Sequence, residues 1–185
     1  MKRSVTIGDA EVPVVDGFVN GVATFVAGLL TTTVMLSILG RSPEAQFGRV
    51  FMAPAESFGW LYLGAHQVSV TVDGMAVNYA ESAVAYSVAY YLVPVLLLLV
   101  AGYHVARSVE SVDEPHLGVL AGATVVLGYL PLVALAAVVL PYEGTNVDVT
   151  VPFARSVLVA GIAYPVAVGG IGGALATLHD SADWS

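Results

Sequence analysis

Four apolar runs without a single Asp, Glu, Lys or Arg (residues 22–39, 83–106, 117–140 and 156–178) constrain this chain more than any other feature. A hydrocarbon core of about 30 Å needs roughly 20 consecutive apolar residues to cross it as a helix. Soluble buried helices of that length rarely lack a charge, so the runs predict an all-α integral membrane protein, a bundle of four spans. Composition agrees: 57% of residues are hydrophobic and 11% charged, with a mean hydropathy of +0.83. At 185 residues there is one membrane domain and no separate soluble catalytic module.

The remaining polar residues are acidic, 14 Asp and Glu against 6 Lys and Arg. That balance excludes nucleic acid, which requires basic patches to displace counterions. It also fits a cell with multimolar internal salt, where screening acts over a few Å. With no cysteine, disulfides, thiolate catalysis and thiolate-bound metals are excluded. The N-terminal "MKRSVTIGDAEVPVVDG" has no apolar stretch directly after Lys2-Arg3, so the first span reads as an uncleaved insertion signal. Lys2, Arg3 and Arg107 fall on one side and Arg41, Arg49 and Arg155 on the other, which leaves the positive-inside rule silent.

Between spans 1 and 2 the pattern changes twice. Phe51, Ala55, Phe58, Tyr62 and Ala65 recur at three- and four-residue intervals, but Pro54 and Glu56 interrupt them. The segment at about 50–66 therefore reads as an interfacial or re-entrant helix, with a fifth span or irregular structure as the alternatives. Trp60 and Tyr62 fit the first reading, because amphipathic rings settle at headgroup level. Beyond it, Val68, Val70 and Val72 alternate with polar residues up to Asp73-Gly74, and Met75, Val77 and Tyr79 alternate after it. Asp-Gly between alternating runs signals a two-residue hairpin turn. The expectation is a small extracellular β-hairpin over about 68–79, with Val70 opposite Val77. An isolated hairpin is marginal in water, so its apolar face needs the bilayer, the bundle or another chain to cover it.

Pro94, Pro131 and Pro165 lie inside spans 2, 3 and 4, preceded within three residues by Tyr91, Tyr129 and Tyr164. Proline bends a helix and frees a carbonyl, and broken helices are where transporter sites occur. These three tyrosines are the candidate solute path. Gly118 and Gly122, Gly169 and Gly173, and Gly170 and Ala174 stand four apart, a spacing that brings helix backbones together within one chain or between chains. The connections 107–116 and 141–150 read as short acidic loops, the second a tight turn.

His66, His104, His116 and His179 form no i, i+4 pair and no metalloprotease motif, so no metal or other cofactor is expected; His66 reads as an interfacial side chain. The span centres hold no ionisable Asp, Glu, Lys or Arg, which argues against proton-coupled transport within one chain. No nucleophile elbow, phosphate loop or paired-carboxylate arrangement points to an enzyme.

The runs "YYLVPVLLLLVAGYHVARS", "GATVVLGYLPL" and "SVLVAGIAYPVAVGGIGGAL", with Gly59, Trp60, Leu61, Tyr62, Ala65 and His66 ahead of them, resemble a family of small uncharacterised multi-pass membrane proteins of haloarchaea, sometimes labelled transporters. The family usually carries Asn where this chain has Gly64. The likeness covers about residues 57–178, implies a halophilic membrane protein, and brings no active residues with it.

The function expected from these readings is a non-enzymatic multi-pass component of the cell membrane. It would serve as an accessory subunit in a homo- or hetero-oligomeric complex, with Trp60, His66, Val70 and Val77 and the faces of Gly118, Gly122, Gly169 and Gly173 as interaction and packing residues. The alternative is a small oligomeric transporter or channel that uses Tyr91, Tyr129 and Tyr164.

Overall fold

A computed structural model describes residues 5–7, 10–39, 55–82, 87–109, 114–144 and 147–182. The first long helix starts before its apolar run does. Strands β1 (Val5–Ile7) and β2 (Ala10–Val12) form an antiparallel pair, and α1 (Val14–Leu39) follows at once. Pro13 sets the entry angle, and Asp16 lies in the first turn, where a carboxylate is favourable. Residues 5–7 and 10–16 thus already supply a strand pair and the first turn of span 1.

Helix α2 (Glu56–Ala65) leads into β3 (Val70–Val72) and β4 (Met75–Val77). Asp73 and Gly74 have φ of 47° and 84°, the two left-handed positions of the expected turn. The register pairs Val70 with Val77 and Val72 with Met75, as the alternation predicts. Tyr79, expected to continue the strand, instead opens the short α3 (Tyr79–Ser82). The cause is local: the Asn78 side-chain oxygen accepts from the N–H groups of Ala80 and Glu81, at 3.0 and 3.2 Å, and caps a helix. The part of the expected interfacial helix at 50–54 lies outside the described residues, as do 83–86 at the start of the expected second span.

Helix α4 (Ser87–Arg107) carries Pro94 in its interior. Span 3 is two helices, α5 (Pro115–Ala123) and α6 (Val126–Val139). Its break falls at Thr124-Val125 and not at Pro131. There the Thr124 hydroxyl donates to the Ala121 carbonyl at 2.6 Å and the backbone tightens to three-residue bonds. After α6, β5 (Tyr142–Glu143) and β6 (Asp148–Thr150) form a second hairpin where a plain tight turn was expected. Strand β6 pairs antiparallel with β3, Val72 against Val149, and the sheet runs β4-β3-β6-β5. The first hairpin is therefore not isolated. Span 4 is α7 (Phe153–Arg155), a π-helical segment Ser156–Ala163 and α8 (Tyr164–Ala182). The wide turns end beside Pro165, and the Tyr164 N–H bonds the Val159 carbonyl five residues back.

The chain is mostly helical, and four helical stretches are long and apolar enough to cross a membrane: Val14–Ile38, Ser87–Arg107, Pro115–Val139 and Phe153–Leu178. Leu36 late in α1, Tyr90 early in α4 and Val149 share one buried cluster with Trp60, Leu61, Val70 and Val72. The ends of spans 1 and 3 and the starts of spans 2 and 4 thus meet at one end of the bundle. Helix α2 and the sheet cap that end. A second cluster, built on Phe25, Tyr62, Leu98, Val105, Val125 and Tyr129, fills the space between the helices beneath the cap.

Candidate functional site

The cap meets the bundle at three polar side chains. An α-helix leaves its last carbonyls without helical partners, and α2 ends at Ala65 with His66 as its cap residue. The His66 ring turns back onto this end: Nδ1 lies 2.8 Å from the Tyr62 carbonyl oxygen. Its other nitrogen, Nε2, lies 2.7 Å from the Tyr129 hydroxyl, and Tyr129 Oη lies 2.6 Å from Tyr62 Oη.

Elementary donor and acceptor rules fix the direction of this ring of bonds. A carbonyl only accepts, so His66 Nδ1 carries the proton and Nε2 is a lone pair. Tyr129 must then donate to Nε2, and its oxygen accepts the hydroxyl of Tyr62. The circuit closes through the residues of α2 and pins that helix to span 3. Phe25 of α1 meets both tyrosines edge-on, with centroids 5.3 Å from each. Glycine at position 28 makes room for the ring: a Cβ there would stand 2.2 Å from Tyr62 Oη.

His66 is 1% exposed. Burial lowers its pKa from 6.5 to about 4, opposed by the bond to the Tyr62 carbonyl, so the imidazole is neutral at ordinary pH. Burial likewise pushes the Tyr62 phenol above its usual 10, against the lowering effect of the Tyr129 hydrogen bond. Every member is therefore uncharged, and both ring nitrogens of His66 are occupied.

Tyr164 completes the surroundings, its ring centroid 5.0 Å from that of His66. Toward the surface, Gln67 adopts a φ of 63° and its carbonyl accepts from Arg155 Nη2 at 3.2 Å, while its side chain lies close to Tyr91. Two of the three tyrosines expected to line a solute path, Tyr129 and Tyr164, converge on His66, and Tyr91 stands next door on Gln67.

Other expected site residues lie elsewhere. Trp60 and Tyr62 were expected at headgroup level and His66 as an interfacial side chain; all three are enclosed by protein, at 0%, 2% and 1% exposure. The reason is packing of the cap: the Trp60 indole N–H donates to the Leu140 carbonyl at the end of α6, at 2.9 Å, and its ring lies against Tyr79. Val70 is buried beneath the sheet and Val77 is half-buried, so the fold covers most of the hairpin's apolar face and leaves Met75 exposed beside the turn. Gly118 and Gly122 face Gly173 and Gly169 within the chain, since a Cβ at Gly122 would stand 2.2 Å from the Gly169 carbonyl oxygen.

His104 is exposed, and His116 makes an exposed contact with Glu114 at 3.1 Å; the His179 side chain lies outside the described residues. Among the described residues no three His, Cys, Asp or Glu come together to hold a metal ion. Sequence reasoning passed over Phe25, Gln67 and Arg155. The one signal for the site in the sequence was the four-residue step from Tyr62 to His66, which puts those two side chains on one helix face.

The family model of DUF7978, a family of unknown function, covers residues 2–180. No curated protein and no solved structure matches.

Proposed function

We propose, for a chain that belongs to DUF7978, a family of unknown function, a non-enzymatic role as an integral multi-pass subunit of a membrane complex. The observation that carries this reading is the distribution of its exposed apolar side chains. Val88, Leu92, Leu96 and Val100 make one ridge along α4, and Val26, Leu30, Val34 and Ile38 another along α1, every one of them exposed. In water such ridges would be a liability. In a bilayer they face lipid or the helices of a partner. Association then uses these outer ridges, because the hairpin and the paired glycines are already spent inside the chain. The acidic balance of 14 Asp and Glu against 6 Lys and Arg supports a cell membrane bathed in high salt.

The test is the mass and composition of the complex extracted from native membranes in mild detergent and high salt. A stoichiometric second protein is the expected result, and its association should weaken when Leu96 is replaced by Trp on the outer ridge. A monomer without a partner would refute the subunit role. The second reading, a small oligomeric transporter, draws on the convergence of Tyr129 and Tyr164 on His66. It predicts a homo-oligomer that moves solute in liposomes on its own.

A further inference from the structure

A cleft of about 300 Å³ opens between spans 1 and 3 beside α2. Leu29, Leu30 and Thr33 form its α1 wall, Ala136 and Leu140 its α6 wall, and Phe58 and Gly59 its floor on α2, with Phe25 and Tyr62 at the end. Its volume is at the lower end of the roughly 300–1,000 Å³ typical of small-molecule sites.

Among the described residues, the polar side chains along this wall are engaged elsewhere. Thr33 donates its hydroxyl to the Leu29 carbonyl at 2.8 Å. Tyr62 spends its hydroxyl on Tyr129. The Leu140 carbonyl accepts from Trp60. The described lining therefore offers an occupant chiefly methyl groups, methylenes and ring faces, with the hydroxyl protons of Thr33 and Tyr62 already donated. Water and sugars, which must replace the bonds they leave behind, are disfavoured there. A flexible hydrocarbon loses nothing on entry.

Its position names the source of that hydrocarbon. Leu30, 58% exposed, belongs both to the cleft and to the outer ridge Val26–Leu30–Val34 of span 1. The cleft is thus continuous with the surface this chain turns to lipid, and rests on the membrane reading above.

We propose that this cleft is a binding site for the hydrocarbon chain of a membrane lipid, which enters sideways past Leu30 between spans 1 and 3. Hydrocarbon is fixed by the apolar walls, and lateral entry by the exposed rim on a spanning helix.

The full chain, reconstituted in nanodiscs containing a phospholipid with a photoactivatable diazirine on its acyl chain, tests this directly. After illumination the labelled residues are mapped by peptide mass spectrometry. The expected labels lie on Leu29, Phe58 and Leu140 as well as on the outer residues Leu96 and Leu175. Two substitutions, Ala136→Phe from within and Leu30→Trp at the exposed rim, should abolish the labels in the cleft and leave those at Leu96 and Leu175. Labels confined to the outer residues in the unaltered chain would overturn the lipid site, whether the cleft is collapsed or filled by protein. Cleft labels unchanged in the Leu30→Trp variant would overturn it as well. Absence of labels at Leu96 and Leu175 too would instead defeat the membrane reading itself.

Discussion

Replacing Tyr129 by Phe removes one oxygen from the middle of the His66 circuit and strands two groups at once. His66 Nε2, 2.7 Å from that oxygen, loses its donor, and the Tyr62 hydroxyl, 2.6 Å from it, loses its acceptor. Each buried polar group left unsatisfied costs about 1–3 kcal/mol, which gives about 2–6 kcal/mol for the variant. Tyr62→Phe is the informative control. It removes only the last donor of the chain of bonds and leaves Tyr129 still donating to His66, a loss of about 1 kcal/mol. Hydrogen bonds in membrane proteins are often worth less than these figures, because freed groups find partners in the unfolded state. That compresses both values but preserves their order. Denaturant unfolding of the purified chain in detergent micelles, followed by tryptophan fluorescence, measures both. Equal losses, or a larger loss for Tyr62→Phe, would refute the direction deduced for the circuit and the tautomer assigned to His66.

Three further predictions test the site and the helix packing. His66 is neutral in the folded chain with a pKa of about 4 against 6.5 unfolded. The unfolded state thus binds the extra proton, and stability present above pH 6.5 is lost as the pH falls toward 4, by about 3 kcal/mol at roughly 1.4 kcal/mol per unit; this loss should be absent from the His66→Gln variant in parallel melts. Among the described residues the buried Tyr90 hydroxyl has no hydrogen-bond partner, so Tyr90→Phe should be neutral or stabilising, by up to about 1 kcal/mol, in the same unfolding assay. Gly122→Leu places side-chain atoms where a Cβ alone would stand 2.2 Å from the Gly169 carbonyl; α5 and α8 must separate, and the melting temperature should fall by several degrees, about 1–3 kcal/mol of overpacking.

The comparison with the sequence divides along the distance between interacting residues. Hydropathy and the absence of charge are properties of contiguous residues, so four spanning-length helices were legible at once, with only their ends and the Thr124 break misplaced. The turn at Asp73-Gly74 was legible too, because left-handed φ at two adjacent positions is a local demand that few residue pairs meet. The four-residue glycine spacings showed that helix backbones approach, but not that Gly118 and Gly122 meet Gly173 and Gly169 of the same chain. Trp60 and Tyr62 carried a pattern that fits the headgroup region and a buried cap equally well. Tertiary packing decided the matter: β5 and β6 pair against β3 and pack with Trp60, while Phe25 and Tyr129 of the long helices enclose the Tyr62 ring. His66 has the same history: its bond to the Tyr62 carbonyl lies within one helix end, whereas Tyr129 is 63 residues away. The sequence by itself determined four apolar helices long enough to cross a membrane and one tight hairpin, since each of those features is settled by neighbours along the backbone. Which rings are buried, which nitrogen of His66 holds its proton and where a cleft remains open were decided only by tertiary structure, because each depends on partners that chain folding brings together across long loops.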